Sequence, residues 1–158
     1  MKNDRPTRAN RTYRDPVATG DLVFVYGTLR RGERFHDTYL PDAEFVGDAT
    51  TVDRYRLRDL GAFPAAEHIT SEPGAPGRGL VGEVYRVDEQ TGRDLDALEG
   101  NGGLYRRALR SVYSGNTGVS GLLESDLVWL TAWVFEIINP RWNEPIIESG
   151  DWLNRIGG

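Results

Sequence analysis

Val128-Trp129-Leu130-Thr131-Ala132-Trp133-Val134-Phe135-Glu136-Ile137-Ile138 is apolar at odd and even positions alike. Side chains alternate across a strand, so both faces of this segment must be covered. In a chain otherwise read as short strands with few helices, that demand implies a closed or strongly curved sheet with helices packed outside, an α+β, barrel-like architecture. Trp129 and Trp133 fall on one side of the strand by period two and are expected in the barrel core rather than on a stacking platform.

Working toward the N-terminus, Tyr105 to Tyr113 reads as a strand, separated from the first by a glycine-rich turn region at Ser114 to Ser120. Leu80 to Val87 is another, with Gly82 inside it as a bulge or point of close approach. A helix follows: Asp88 is placed as N-cap, Leu95 and Leu98 share a face, and Gly100 supplies the stop. Earlier, Leu22 to Tyr26 is a buried strand that feeds a loop from Gly27 to Gly32. Phe35 to Leu40 reads as a short helix ended by Pro41, and Glu44 to Leu60 as one or two strands. Gly61-Ala62-Phe63-Pro64-Ala65 breaks the pattern, and Ser71 to Gly79 is a proline and glycine linker.

The 158 residues, 39% hydrophobic and 27% charged, suit a single domain with one core. Residues 1–20 carry Lys2, Arg5, Arg8, Arg11 and Arg14 but no leucine, isoleucine or phenylalanine, and read as a disordered basic tail that cannot anchor, leaving 21–158 as the domain. No segment resembles a signal peptide or a membrane span, so a cytoplasmic location is expected. The absence of cysteine excludes disulfides, thiolate metal sites and a cysteine nucleophile. Lys2 is the only lysine, which disfavours Schiff-base and phosphate-loop chemistry. His36 and His68 cannot supply a three-histidine site, so neither metal nor cofactor is expected. A net charge of −5 argues against nucleic acid as the partner.

Gly77-Arg78-Gly79-Leu80-Val81-Gly82 fits a dinucleotide-binding string, but it leads into a strand rather than a helix and is read as chance spacing. The two histidines are read as surface or packing residues, and the arginines at 54, 56, 58, 106, 107 and 110 as solvated strand faces. Two features stand apart. In Tyr26-Gly27-Thr28-Leu29-Arg30-Arg31-Gly32 a buried strand ends at a glycine, and the following backbone N–H groups can form an anion nest; a hairpin turn is the competing reading. Glu99 lies about 40° around the helix from Leu95, on the edge of the apolar stripe. Partial burial and the helix C-terminus both raise the pKa of a carboxyl so placed, as a general acid/base requires; an exposed last-turn glutamate is the alternative.

Together these features resemble the γ-glutamylcyclotransferase-like superfamily, its AIG2-like branch in particular, from roughly Leu22 to Trp152. The resemblance rests on the loop beginning Tyr26-Gly27-Thr28-Leu29, on Phe63-Pro64-Ala65, Gly82-Glu83-Val84-Tyr85, Leu95-Asp96-Ala97-Leu98-Glu99-Gly100, Tyr105-Arg106 and Ser149-Gly150-Asp151-Trp152. It implies a small mixed β-barrel with flanking helices and a cavity shared by loop and glutamate. By the same resemblance Glu99 is the catalytic residue, Tyr26, Gly27, Thr28 and Leu29 cradle the substrate, and Tyr105 lines the pocket. Phe63, Trp142 and Trp152 are further candidates for walls.

The implied reaction is intramolecular: the α-amine of a γ-glutamyl group attacks its own γ-carbonyl, giving 5-oxoproline and a released amine or amino acid. Because the substrate brings its own nucleophile, the reaction suits a chain with no cysteine, no lysine outside the tail and only two histidines. The competing expectation is a non-catalytic module that binds a small anion on the same fold. A weaker one is nucleic-acid binding through the basic tail. Neither a membrane nor an oligomeric partner is indicated.

Overall fold

The structure, a computed structural model, describes residues 10–70, 76–114, 127–139 and 143–155. The segment 1–9, part of the expected linker, most of the expected glycine-rich turn and Trp142 lie outside the described residues. In chain order the elements are β1 (Leu22–Val25), α1 (His36–Tyr39), β2 (Glu44–Thr51), β3 (Arg54–Asp59), β4 (Pro64–Thr70), β5 (Val81–Arg86), α2 (Glu89–Glu99), β6 (Tyr105–Ser114) and β7 (Val128–Ile137), with a short 3₁₀ turn at Trp152–Asn154. Among the described residues no helix is long and apolar enough to cross a membrane.

Five strands close into a barrel in the order β1-β5-β2-β6-β7. Closure is by a parallel contact of β1 with β7, Val23 opposite Trp133, whereas the other neighbours run antiparallel. The barrel is therefore mixed, as expected. β3 and β4 form a separate two-stranded sheet, and β4 lies against β7.

The double-sided burial of β7 has a direct cause. Ala132 and Val134 join Phe24, Ala49, Val84 and Val112, so one cluster draws on all five barrel strands and fills the interior. Trp133, Phe135 and Ile137 join Val23, Val25, Leu40 and Leu95 in a second cluster, which lies between the barrel wall and the helices. Each large side chain so buried contributes roughly 1.5–3 kcal/mol. Trp129 corrects the period-two reading: it shares the face of Trp133, yet it is 53% exposed where Trp133 is fully buried. It sits near the start of β7 and touches only the ring of Tyr113 among aromatic neighbours in the described residues.

Local signals in α2 behave as read. The Asp88 side chain accepts a hydrogen bond from the Thr91 N–H at 2.8 Å, a cap worth about 1 kcal/mol, and Gly100 ends the helix at φ +64°. Gly82 is a close approach: a Cβ there would lie against the Val25 carbonyl and 2.7 Å from the Phe24 ring. The expected break falls at Leu60–Phe63, between β3 and β4, but Pro64 and Ala65 already belong to β4, a strand the sequence did not announce. The Leu60 N–H donates to the Phe63 carbonyl at 3.1 Å, and a proline is tolerated at the first residue of a strand.

The N-terminal expectation is corrected over residues 10–20. Val17 is buried, its Cβ and γ-methyl groups seated where a side chain at Gly92 would stand. The Arg11 guanidinium grips Asp21, which also accepts from the Ala18 N–H and from Trp133 Nε1. Burial pushes the Asp21 carboxyl up, but these donors outweigh it and hold the group below the usual carboxylate range. Further hydrogen bonds hold this segment, from Asn101 to the Tyr13 carbonyl, from Arg107 to the Asp15 carbonyl and from the Gly20 N–H to the Val87 carbonyl, none of which composition reveals.

The arginine stripes are not simply solvated. Arg107 is 2% exposed, stacks on Trp133 and donates to Asp96 at 2.8 and 2.9 Å. Arg110 forks onto Glu136, whose carboxylate also accepts from Tyr55, and Arg58 pairs with Glu67. His68 likewise lies beside a carboxylate, Nε2 at 2.7 Å from Asp53. These partners meet only when the chain folds: Arg110 with Glu136 and Arg58 with Glu67 across strands, Arg107 with Asp96 of α2, and His68 with Asp53 between β2 and β3.

Candidate active site

A cavity of about 210 Å³ opens where β1 ends, beside the C-terminal end of α2 and the start of β6. Tyr26, Gly27, Thr28, Leu29, Glu99 and Tyr105, all named from the sequence, line it together. Phe63 also lines it, whereas Trp152 does not: it packs in the barrel-interior cluster and donates from Nε1 to Glu33.

The loop after β1 is held from behind. The Arg30 side chain is buried and donates from Nε to Glu83 at 3.0 Å and from Nη1 to Asp151 at 2.6 Å. The other oxygen of Glu83 accepts from the Arg31 N–H and the Tyr85 hydroxyl. In front, the Arg30 N–H donates to the Gly27 carbonyl and the Phe35 N–H to the Thr28 carbonyl, so both loop carbonyls are occupied. The N–H groups of Gly27, Thr28 and Leu29 donate to no group among the described residues. Gly27 is required by proximity, since a Cβ there would stand 2.6 Å from the Pro64 ring. A two-residue hairpin turn does not form: β1 pairs with β5 and β7, not with the strand that follows it.

Glu99 keeps partial solvent access through the cavity but is otherwise closely surrounded. Its carboxylate takes no hydrogen bond from any described residue, and burial pushes its pKa up to about 7. Tyr26 donates to the Phe135 carbonyl at 2.5 Å and Tyr105 to the Pro64 carbonyl at 3.2 Å. Both phenols are raised by burial, with the nearby Glu99 charge adding to it, so they remain neutral donors at physiological pH. The site thus combines a half-neutralised carboxyl, free backbone donors and apolar walls, an arrangement able to bind an anion and move a proton. Among the described residues no three His, Asp or Glu side chains converge as metal ligands would.

Sequence reasoning missed Arg34, Phe35, Leu98 and Leu104 as lining residues, and Phe24, Val25, Pro64 and Phe135 line the cavity as well. The loop was read as ending at Gly32, but the hydrogen bond from Phe35 to Thr28 folds the next residues back to the cavity. Leu104 is exposed directly after Gly102-Gly103, a pattern that in retrospect marks a rim.

The comparisons agree with this fold. The family model described as gamma-glutamyl cyclotransferase, AIG2-like, matches residues 23–154. The gamma-glutamylcyclotransferase family protein YtfP of Escherichia coli K12 is 36% identical over 134 residues, 84% of this chain and 96% of its own length. A gamma-glutamylaminecyclotransferase of Rattus norvegicus is 38% identical over 98 residues, 57% of this chain and 62% of its own. The crystal structure of an AIG2-like protein from Mus musculus superposes with a TM-score of 0.63 at 30% identity, covering 82% of this chain and 86% of that one. With a family model matched over most of its length and a relative 36% identical over 96% of that relative's own length, the chain belongs to the AIG2-like γ-glutamylcyclotransferase family.

Proposed function

We propose that the protein is a γ-glutamylcyclotransferase that converts a γ-glutamyl amide to 5-oxoproline and a free amine or amino acid. The carrying observation is the Glu99 carboxyl facing the same cavity as the N–H groups of Gly27, Thr28 and Leu29, all without a hydrogen-bond partner among the described residues. In the reaction the α-nitrogen forms a bond to the γ-carbonyl carbon while the bond from that carbon to the leaving nitrogen breaks. Glu99 as carboxylate takes a proton from the attacking ammonium and then, as the acid, gives one to the leaving nitrogen. A pKa of about 7 keeps both forms populated near neutrality. The loop donors bind the α-carboxylate or the oxyanion that develops on the γ-carbonyl oxygen, an interaction typically worth about 3–4 kcal/mol per oxyanion donor.

The test is incubation of the wild-type protein and Glu99→Gln with γ-glutamyl amino acids and γ-glutamylamines, with 5-oxoproline read by mass spectrometry. Wild type is expected to form product, and the variant to turn over at least about a hundredfold more slowly with its fold intact. A fully active variant would remove Glu99 from the mechanism. A folded wild type that binds these compounds but makes no product would instead support a small-anion-binding module.

A further inference from the structure

The cavity contains two charged side chains, and they differ in position. Glu99 stands at the end of α2 beside Tyr26 and Tyr105, whereas Arg34 is solvent-exposed on the segment that folds back after the loop. The Arg34 guanidinium lies 4.4 Å from the centre of the Phe35 ring, itself part of the lining, so cation–π contact orients it at the mouth. No carboxylate among the described residues lies within ion-pair distance of it, in contrast to Arg30, Arg58, Arg107 and Arg110. Its neighbour Glu33 is engaged by the indole of Trp152. The rim beside it is apolar, with Leu104 49% exposed and Phe63 partly so.

If the γ-glutamyl end enters toward Glu99, the part of the substrate nearest solvent is the leaving amine. We infer that Arg34 is a specificity-determining residue that pairs with a carboxylate on the leaving group, so that γ-glutamyl amino acids are preferred over γ-glutamylamines lacking an acid. This inference rests on the reaction proposed above and names its substrate class. The guanidinium fork can take the carboxylate in a two-point contact, while Leu104 and Phe63 cover the aliphatic portion. Water at the mouth weakens the pair, which sets the expected preference at about two- to fivefold and makes it fall with added salt.

The experiment uses a matched pair, γ-glutamyl-alanine and γ-glutamyl-ethylamide, which differ only in the leaving-group carboxylate. kcat/KM for 5-oxoproline release is measured for wild type, Arg34→Gln and Arg34→Lys, and the affinity of both compounds is measured by calorimetry on Glu99→Gln with and without Arg34→Gln. Wild type is expected to favour the alanine compound about two- to fivefold, through KM rather than kcat. Arg34→Gln abolishes the preference by weakening the alanine compound alone, and Arg34→Lys restores part of it. Equal loss on both compounds, or no loss on either, overturns the role of Arg34. Calorimetry separates the two readings. A carboxylate preference that depends on Arg34, with no turnover by wild type, sinks the reaction and leaves the charge selection standing; turnover without any such preference does the reverse. Failure of both compounds to bind overturns the assignment of Arg34 as well.

Discussion

Glu99→Gln should change how stability depends on pH, independently of any activity. The folded chain raises this carboxyl from 4.5 to about 7 through burial. Between those two values the folded state retains a proton that the unfolded state has released. Stability from this group is therefore complete below about 4.5, declines as pH rises through 7 and is absent above it. The difference corresponds to about 3 kcal/mol, and water reaching the carboxyl through the cavity screens part of it, so a loss of between about 1 and 3 kcal/mol is expected from pH 4.5 to 8. Glutamine keeps the shape and has no such titration. Urea unfolding of both proteins at pH 4.5, 5.5, 6.5, 7.5 and 8.5 gives a difference curve in which groups common to both, including Asp21 with its opposite trend, cancel. The variant should gain on the wild type across this range, most steeply at about pH 5.5–6, midway between the two pKa values, and level off above pH 7. A flat difference curve would show that the cavity does not desolvate Glu99, and the argument for a tuned acid/base would fall with it.

Gly82→Ala forces a Cβ against the Val25 carbonyl and the Phe24 ring inside the barrel, so thermal unfolding should reveal a loss of about 1–3 kcal/mol, and an unchanged midpoint would contradict the packing. Glu83→Ala leaves Arg30 with Asp151 as its remaining carboxylate partner and frees the Arg31 N–H. Breaking this buried pair should cost about 3 kcal/mol in denaturant unfolding and raise KM for any cavity ligand; loss of stability with ligand affinity unaltered would show that the pair does not position the loop. Val17→Ala should cost about 1–2 kcal/mol by chemical denaturation, since the side chain is 4% exposed, and no cost would restore the free-tail reading for this segment.

The elements with strong local signals were legible in the chain itself. Apolar residues at both parities in β7, the Asp88 cap, the Gly100 stop and the glycine at the end of β1 each constrain the backbone within a few residues. The edge position of Glu99 on α2 follows from helical period alone, and the direction of its pKa followed with it. What sequence could not supply were partnerships between distant segments. Arg107 with Asp96 and Trp133, His68 with Asp53, and Val17 over Gly92 look like ordinary solvated residues until strands and loops bring them together.

The candidate site divides in the same way. Tyr26 to Leu29, Glu99 and Tyr105 were named because glycine placement, helix geometry and family motifs are written along the chain. Arg34, Phe35 and Leu104 were not, because their place at the mouth depends on one backbone hydrogen bond that turns the chain back and on a rim that two glycines leave exposed. By itself the sequence determined the barrel strands, helix α2 and the chemistry available, since periodicity, capping and residue type act locally, whereas β4, which opens at a proline, was not read as a strand. Tertiary structure alone decided which charges are paired and which one is left free at the cavity mouth, because burial and ion pairing depend on distances that closure of the barrel creates.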